Sequence, residues 1–125
     1  MDNIGENFVN IVNELAGADL KCQGFHTYNF IYEYRVFGSS YISFAKRNFI
    51  VQFVWDGKEA AVFISVLRGK RITPSGQLDY SQVADFSAPL DSNKLGHNLT
   101  SIQEVRISLN ERLPLLKDYL KKEKI

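Results

Sequence analysis

The chain is 125 residues long, 45% hydrophobic and 23% charged, a balance that supports one folded domain with its own core and excludes an intrinsically disordered chain. Its 15 Lys and Arg against 14 Asp and Glu leave a formal net charge of +1, so no global field draws it toward nucleic acid or an anionic membrane. A single cysteine, Cys22, excludes an intramolecular disulfide framework.

Ile4, Phe8, Ile11, Val12 and Leu15 recur at spacings of three and four, the apolar stripe of a helix predicted over residues 3–16. Asp2 or Asn3 is placed to cap its first turn, and Gly17 supplies a left-handed residue where the stripe stops. From Phe25 to Phe37 the period changes to two, with His26, Tyr28, Phe30, Tyr32, Tyr34 and Val36 on one side, which predicts a long strand with an aromatic face. Gly38, Ser39 and Ser40 mark a turn before a second strand at Tyr41–Ala45, and Lys46, Arg47 and Asn48 form a polar corner before a third at Phe49–Trp55. Asp56 and Gly57 carry the two-residue hairpin signal, whose central positions both need positive φ, and Glu59–Leu67 returns as the fourth strand. Arg68 to Gly76 reads as a basic loop with two glycines and a proline.

Apolar residues at 78, 80, 83, 84 and 86 predict a short helix that Ala88 and Pro89 stop, followed by a Ser-, Asn- and Asp-rich loop over 87–98. Thr100 with Gln103, and Ser101 with Glu104, both have capping-box spacing ahead of Ile102, Val105, Leu109, Leu113, Leu116 and Leu120, an amphipathic helix to about Lys122. Pro114 removes one backbone donor inside it, which predicts a kink or two abutting helices near residues 110–113. The elements add up to one α+β domain over residues 1–125: a four-stranded antiparallel meander flanked by an N-terminal helix and a long, Pro-kinked C-terminal helix.

Chemistry-bearing patterns are sparse. His26 and His97 have no further ligand at a metal-motif spacing, and nothing around Cys22 resembles a catalytic turn, so packing or loop lining is the simpler role for that thiol. Gly69, Lys70 and Arg71 followed by Ser75 and Gly76 lack the order of a phosphate loop. Scattered carboxylates such as Glu33, Asp79 and Glu111 form no pair suited to general acid-base work. No enzyme, metal or cofactor is expected. Lys46, Arg47, Arg68, Lys70 and Arg71 are able to share one edge of the sheet, where they would meet phosphate or an acidic protein surface; they are the first candidates for a partner-binding site, and the loop from Asp91 to Asn98 is the second. The aromatic strand offers stacking surfaces, but it lacks an RNA-recognition signature, and an aromatic face under a helix is more simply core.

The order of helix, aromatic strand, Tyr41-Ile42-Ser43-Phe44, the run Phe49 to Glu59 and the segment Asp79 to Phe86 resembles small bacterial proteins of uncharacterised families, several of them similar to immunity proteins of polymorphic or contact-dependent toxin systems. That resemblance implies a cytoplasmic protein that binds and neutralises one toxin domain through a shaped surface. The N-terminus lacks a signal-peptide pattern and no run reaches the ~18 apolar residues of a membrane helix, so a cytoplasmic location without membrane contact is also expected from the residues. The alternative function is a small-ligand binder with an aromatic-lined pocket, Tyr28, Phe30, Tyr32 and Tyr34, between sheet and helix. A homodimer through an exposed sheet edge is a further option.

Overall fold

The computed structural model describes residues 3–28, 40–86 and 99–125. It is an α+β arrangement with helices at either end of an antiparallel sheet: α1 (Ile4–Val12), a π-helical turn (Asn13–Gly17), α2 (Ala18–Cys22), β1 (His26–Tyr28), β2 (Ser40–Lys46), β3 (Phe49–Asp56), β4 (Ala61–Arg71), β5 (Leu78–Asp85) and α3 (Ile102–Lys122). The strands lie in sequence order, β1-β2-β3-β4-β5, each antiparallel to the next.

Among the described residues the sheet has five strands rather than the expected four, because Leu78–Asp85 is a strand and not a short helix. A β-bulge gives this strand its helix-like spacing. Val66 pairs with Ala84 but Leu67 pairs with Gln82, so Val83 is an extra residue on β5. Leu78 and Tyr80 therefore belong to one face while Ala84 and Phe86 belong to the other, and the resulting 80, 83, 84 spacing imitates a helix. The fourth strand also runs on past Leu67 to Arg71, so the first half of the expected basic loop is paired strand.

The first helix continues beyond residue 16. Asn13–Gly17 is wound as a π-turn, and Gly17 is buried with helical φ and ψ instead of capping the end. One surplus residue in that turn shifts the buried stripe from the 4, 8, 11, 12, 15 pattern to Ile4, Phe8, Ile11, Val12, Ala16 and Leu20. Asn3 is the N-cap, accepting from the Glu6 amide at 3.1 Å. The true stop is Gly24, at φ +98: the Gly24 amide donates to the Lys21 carbonyl and the Phe25 amide to the Leu20 carbonyl, the paired bonds of a Schellman ending.

Asp56 and Gly57 do not form a two-residue turn. Asp56 pairs with Ala61, leaving a four-residue loop in which Ala60 takes the left-handed φ of 52 and the Asp56 carboxylate accepts from the Lys58 and Glu59 amides.

One face of the sheet carries Ile42, Phe44, Val51, Phe53, Trp55, Val62, Ile64 and Val66, and on it the helices bury Phe8, Val12, Leu109 and Leu116. Phe44 and Phe53 meet edge to face at 6.0 Å. Here α1 lies over β2 and β3, and α3 lies over β4 beside α1. Ion pairs between Arg106 and Glu14, and between Lys117 and Asp19 at 2.6 Å, link α3 to the first helix in the same order along both helices. Ser101 caps α3, and α3 is a single helix through Pro114 rather than two abutting ones. Pro114 and the residue four before it, Asn110, are both exposed, so water can reach the carbonyl that Pro114 cannot serve. No helix among the described residues is long and apolar enough to cross a membrane.

Candidate functional site

Strand registry gathers the five candidate cations at one end of the sheet. Lys46, Phe49 and Arg68 are successive partners across β2, β3 and β4, which sets Lys46 and Arg68 two strands apart, about 10 Å. Arg47 stands in the β2–β3 turn with a left-handed φ of 54. That turn is tied to β4 by two bonds, from the Gly69 amide to the Asn48 carbonyl at 2.7 Å and from the Asn48 side-chain amide to the Gly69 carbonyl at 2.9 Å. Lys70 and Arg71 follow on the part of β4 that outruns β3, opposite Asp79 and Leu78.

Two of these side chains rest on aromatic rings. The Lys46 ammonium lies 5.8 Å from the centroid of Phe25, and the Arg68 guanidinium 5.7 Å from that of Phe49. Such support keeps a long cationic side chain in place over an apolar surface while leaving the charge at the solvent boundary. Arg47, Arg68, Lys70 and Arg71 are exposed.

The helices end at the same place. A Cβ on Gly24 would stand 3.2 Å from Cε of Lys46, so the end of α2, with exposed Lys21, abuts the sheet's basic corner. Tyr119, in the last turns of α3, has its phenol pKa raised by burial first and by Glu123 second, while Arg68 lowers it; Arg68 is therefore within electrostatic reach of that helix end, where Lys121 and Lys122 are exposed. Their contribution was not visible in the sequence, because it depends on which end of the sheet α3 runs toward.

At the opposite end the charges reverse. The β3–β4 loop carries Asp56 and Glu59 with Lys58, and the Leu99 amide bonds to the Ala60 carbonyl, which places the start of α3 and Glu104 beside that loop. Ser40, at the start of β2, donates to the Gly5 carbonyl, which brings Glu6 to the same end. Among the described residues, the charges of a chain of near-zero net charge are thus sorted between the two ends.

The other sequence candidates are dispersed. Tyr28 pairs with Ser43 and His26 with Ala45, so both belong to the sheet face turned away from the helices, and both are exposed. The aromatic strand face is not under a helix at these positions, and Tyr28 is not part of a wall between sheet and helix, where Phe8, Phe44 and Phe53 fill the layer. Phe30, Tyr32, Tyr34, His97 and the loop from Asp91 to Asn98 lie outside the described residues. Cys22 ends α2 and is exposed rather than packed. Among the described residues no group of three or more His, Cys, Asp or Glu gathers as a metal site requires.

Two groupings escaped sequence reasoning. On the face away from the helices Ala45, Ile50 and Leu67 form a second small core that Tyr80 covers, and the Tyr80 phenol is raised by burial first and by the nearby Tyr28 phenol second. Arg112 and Ser108 are buried on α3 and hydrogen-bonded to each other; burial lowers the guanidinium pKa, and Glu111 and Asp85 oppose that shift. The helical spacing of 108, 109, 112 and 113 signals this inward face, but not that two of its members are polar.

Compared with protein-family models, with curated proteins and with solved structures, the chain matches none.

Proposed function

We propose that this protein is a non-enzymatic protein-binding module, an immunity protein that binds and neutralises a toxin domain in the cytoplasm. The observation that carries the reading is the basic end of the sheet, where Lys46, Arg68, Lys70 and Arg71 stand on paired backbone, Arg47 stands in the turn between β2 and β3, and two of the five rest on aromatic rings. Docking surfaces gain affinity from side chains whose positions are fixed before the partner arrives, because less freedom is lost on binding. Cations held by strand registry, ring support and the Asn48–Gly69 bonds meet that condition. Neutralising a toxin requires only that such a surface cover the toxin's working face, so no catalytic constellation is called for.

The test is affinity capture of the tagged protein from its source cells, followed by expression of each stoichiometric partner alone and together with this chain. A partner that arrests growth alone and is silenced by co-expression supports the reading. A partner that is harmless alone removes the toxin role and leaves a binding module; no stoichiometric partner removes both.

A further inference from the structure

Resting on the protein-binding reading, we infer that the basic end of the molecule docks an acidic loop or helix end of a folded partner, and that Arg47 is kept at its strained turn position for that contact. Three observations converge. The sheet cations Lys46, Arg47, Arg68, Lys70 and Arg71 share one end with the exposed Lys121 and Lys122 of α3, while Glu6, Asp56, Glu59 and Glu104 occupy the other.

The patch is also compact. Its strand-borne part spans three strands, about 10 Å, well short of the about 28 Å across that an 800 Å² face, one side of a standard protein interface, measures. It suits the charged focus of a larger interface. It suits an extended polyanion less well: a duplex carries a charge about every 1.7 Å, and one laid across this end would run on past Asp79 and Glu123 on the flanks. A compact acidic protrusion is able to seat on Lys46, Arg47 and Arg68, short of those two carboxylates.

The third observation is conformational. Arg47 occupies φ 54, a region that Gly and Asn adopt with less strain, in a turn whose other residue is Asn48. Among the described residues neither ring support nor an ion pair explains an arginine there, and its side chain is exposed. Fold stability favours glycine at this position, so an arginine is accounted for by what its charge does in solution.

The experiment titrates the full chain with a compact poly-glutamate, a cyclised loop of about four glutamates spanning no more than about 13 Å, and, in parallel, with single-stranded DNA of equal charge, at low and at physiological salt. Three variants are compared, Arg47→Gly, the double reversal Lys70→Glu with Arg71→Glu, and Lys58→Glu at the acidic end, each checked for folding by circular dichroism. Wild type should bind poly-glutamate with an affinity that falls as salt rises. Arg47→Gly should weaken binding about two- to fivefold, the range one exposed ion pair supports, without loss of thermal stability. The double reversal should weaken it more than about tenfold, and Lys58→Glu should leave it unchanged. DNA bound as tightly as poly-glutamate and lost in the same variants would assign this end to nucleic acid and overturn the inference. So would poly-glutamate binding that is absent or indifferent to the variants. A toxin partner that binds at full strength to the double reversal would sink the inference while leaving the immunity function standing; poly-glutamate binding as expected with no toxin partner would do the reverse.

Discussion

Gly69 shows how much one hydrogen atom in place of a methyl group decides. In a strand interior glycine is ordinarily a weakness, but here a Cβ would stand 2.9 Å from Cε1 of Tyr80 and 3.1 Å from Cδ1 of Leu78. The bare backbone lets Tyr80 lie across β4 and close the small core of Ala45, Ile50 and Leu67. Gly69→Ala is expected to cost about 1–3 kcal/mol, as overpacking does, and the double variant with Tyr80→Ala should lose less than the sum of the two single changes, because the clash is between those two groups. Urea unfolding of the four proteins measures it. Glu104 is a second decisive residue. Its carboxylate accepts from the Thr100 hydroxyl at 2.6 Å and the Thr100 amide at 3.1 Å, and these bonds, the hydroxyl first, hold its pKa below the usual range. A depressed pKa means the stabilisation is complete above the unfolded-state value and is lost as the pH falls through the folded one. Glu104→Gln should therefore lower the melting temperature at neutral pH, with the gap to wild type closing on acidification below the carboxylate range.

At the scale of elements, the outcome separates what periodicity carries from what it cannot. The α1 stripe, the strands β2, β3 and β4 and the amphipathic α3 follow from spacing alone, and the choice of Ser101 over Thr100 as N-cap follows from Glu104 reaching back over the first turn. Three elements were mistaken for one physical reason, an irregularity of a single residue. The bulge at Val83 turned β5 into an apparent helix, the left-handed Ala60 replaced the expected Asp56–Gly57 turn, and the π-turn carried the first helix past Gly17. The five basic candidates were legible as a group because registry links consecutive antiparallel strands, whereas the contributions of Lys121 and Lys122 needed the helix direction. The π-turn also makes a prediction. Deleting Leu15 should let Asn13–Gly17 wind as ordinary α-helix with Val12, Ala16 and Leu20 still inward and with Glu14 and Asp19 still able to reach Arg106 and Lys117. The deletion variant should fold cooperatively, with a loss of stability of about 1–2 kcal/mol, read from thermal melts followed by circular dichroism.

For the whole molecule, net charge is the wrong summary. Both helices run from the acidic end toward the basic one, so their peptide dipoles end at the basic pole with the negative sign, and Lys21, Lys121 and Lys122 stand where those carbonyl ends favour cations. Part of the polarity thus serves helix stability, but Arg47, Lys70 and Arg71 sit on turn and strand rather than in a last helical turn. Chromatography distinguishes a polarised molecule from an evenly neutral one. At pH 8, close to the isoelectric point of about 7.8, the protein should still be retained on a cation exchanger, and the double reversal Lys70→Glu with Arg71→Glu should elute near the void. The polarity acts before any contact is made. A neutral body with opposite ends experiences only a weak net pull from a distant acidic surface, but it does experience a torque, strongest within the screening length of about 8 Å at physiological salt. The molecule is turned as it approaches, so that encounters occur end-on more often than chance allows, and its rotational orientation becomes part of the rate at which it finds its target.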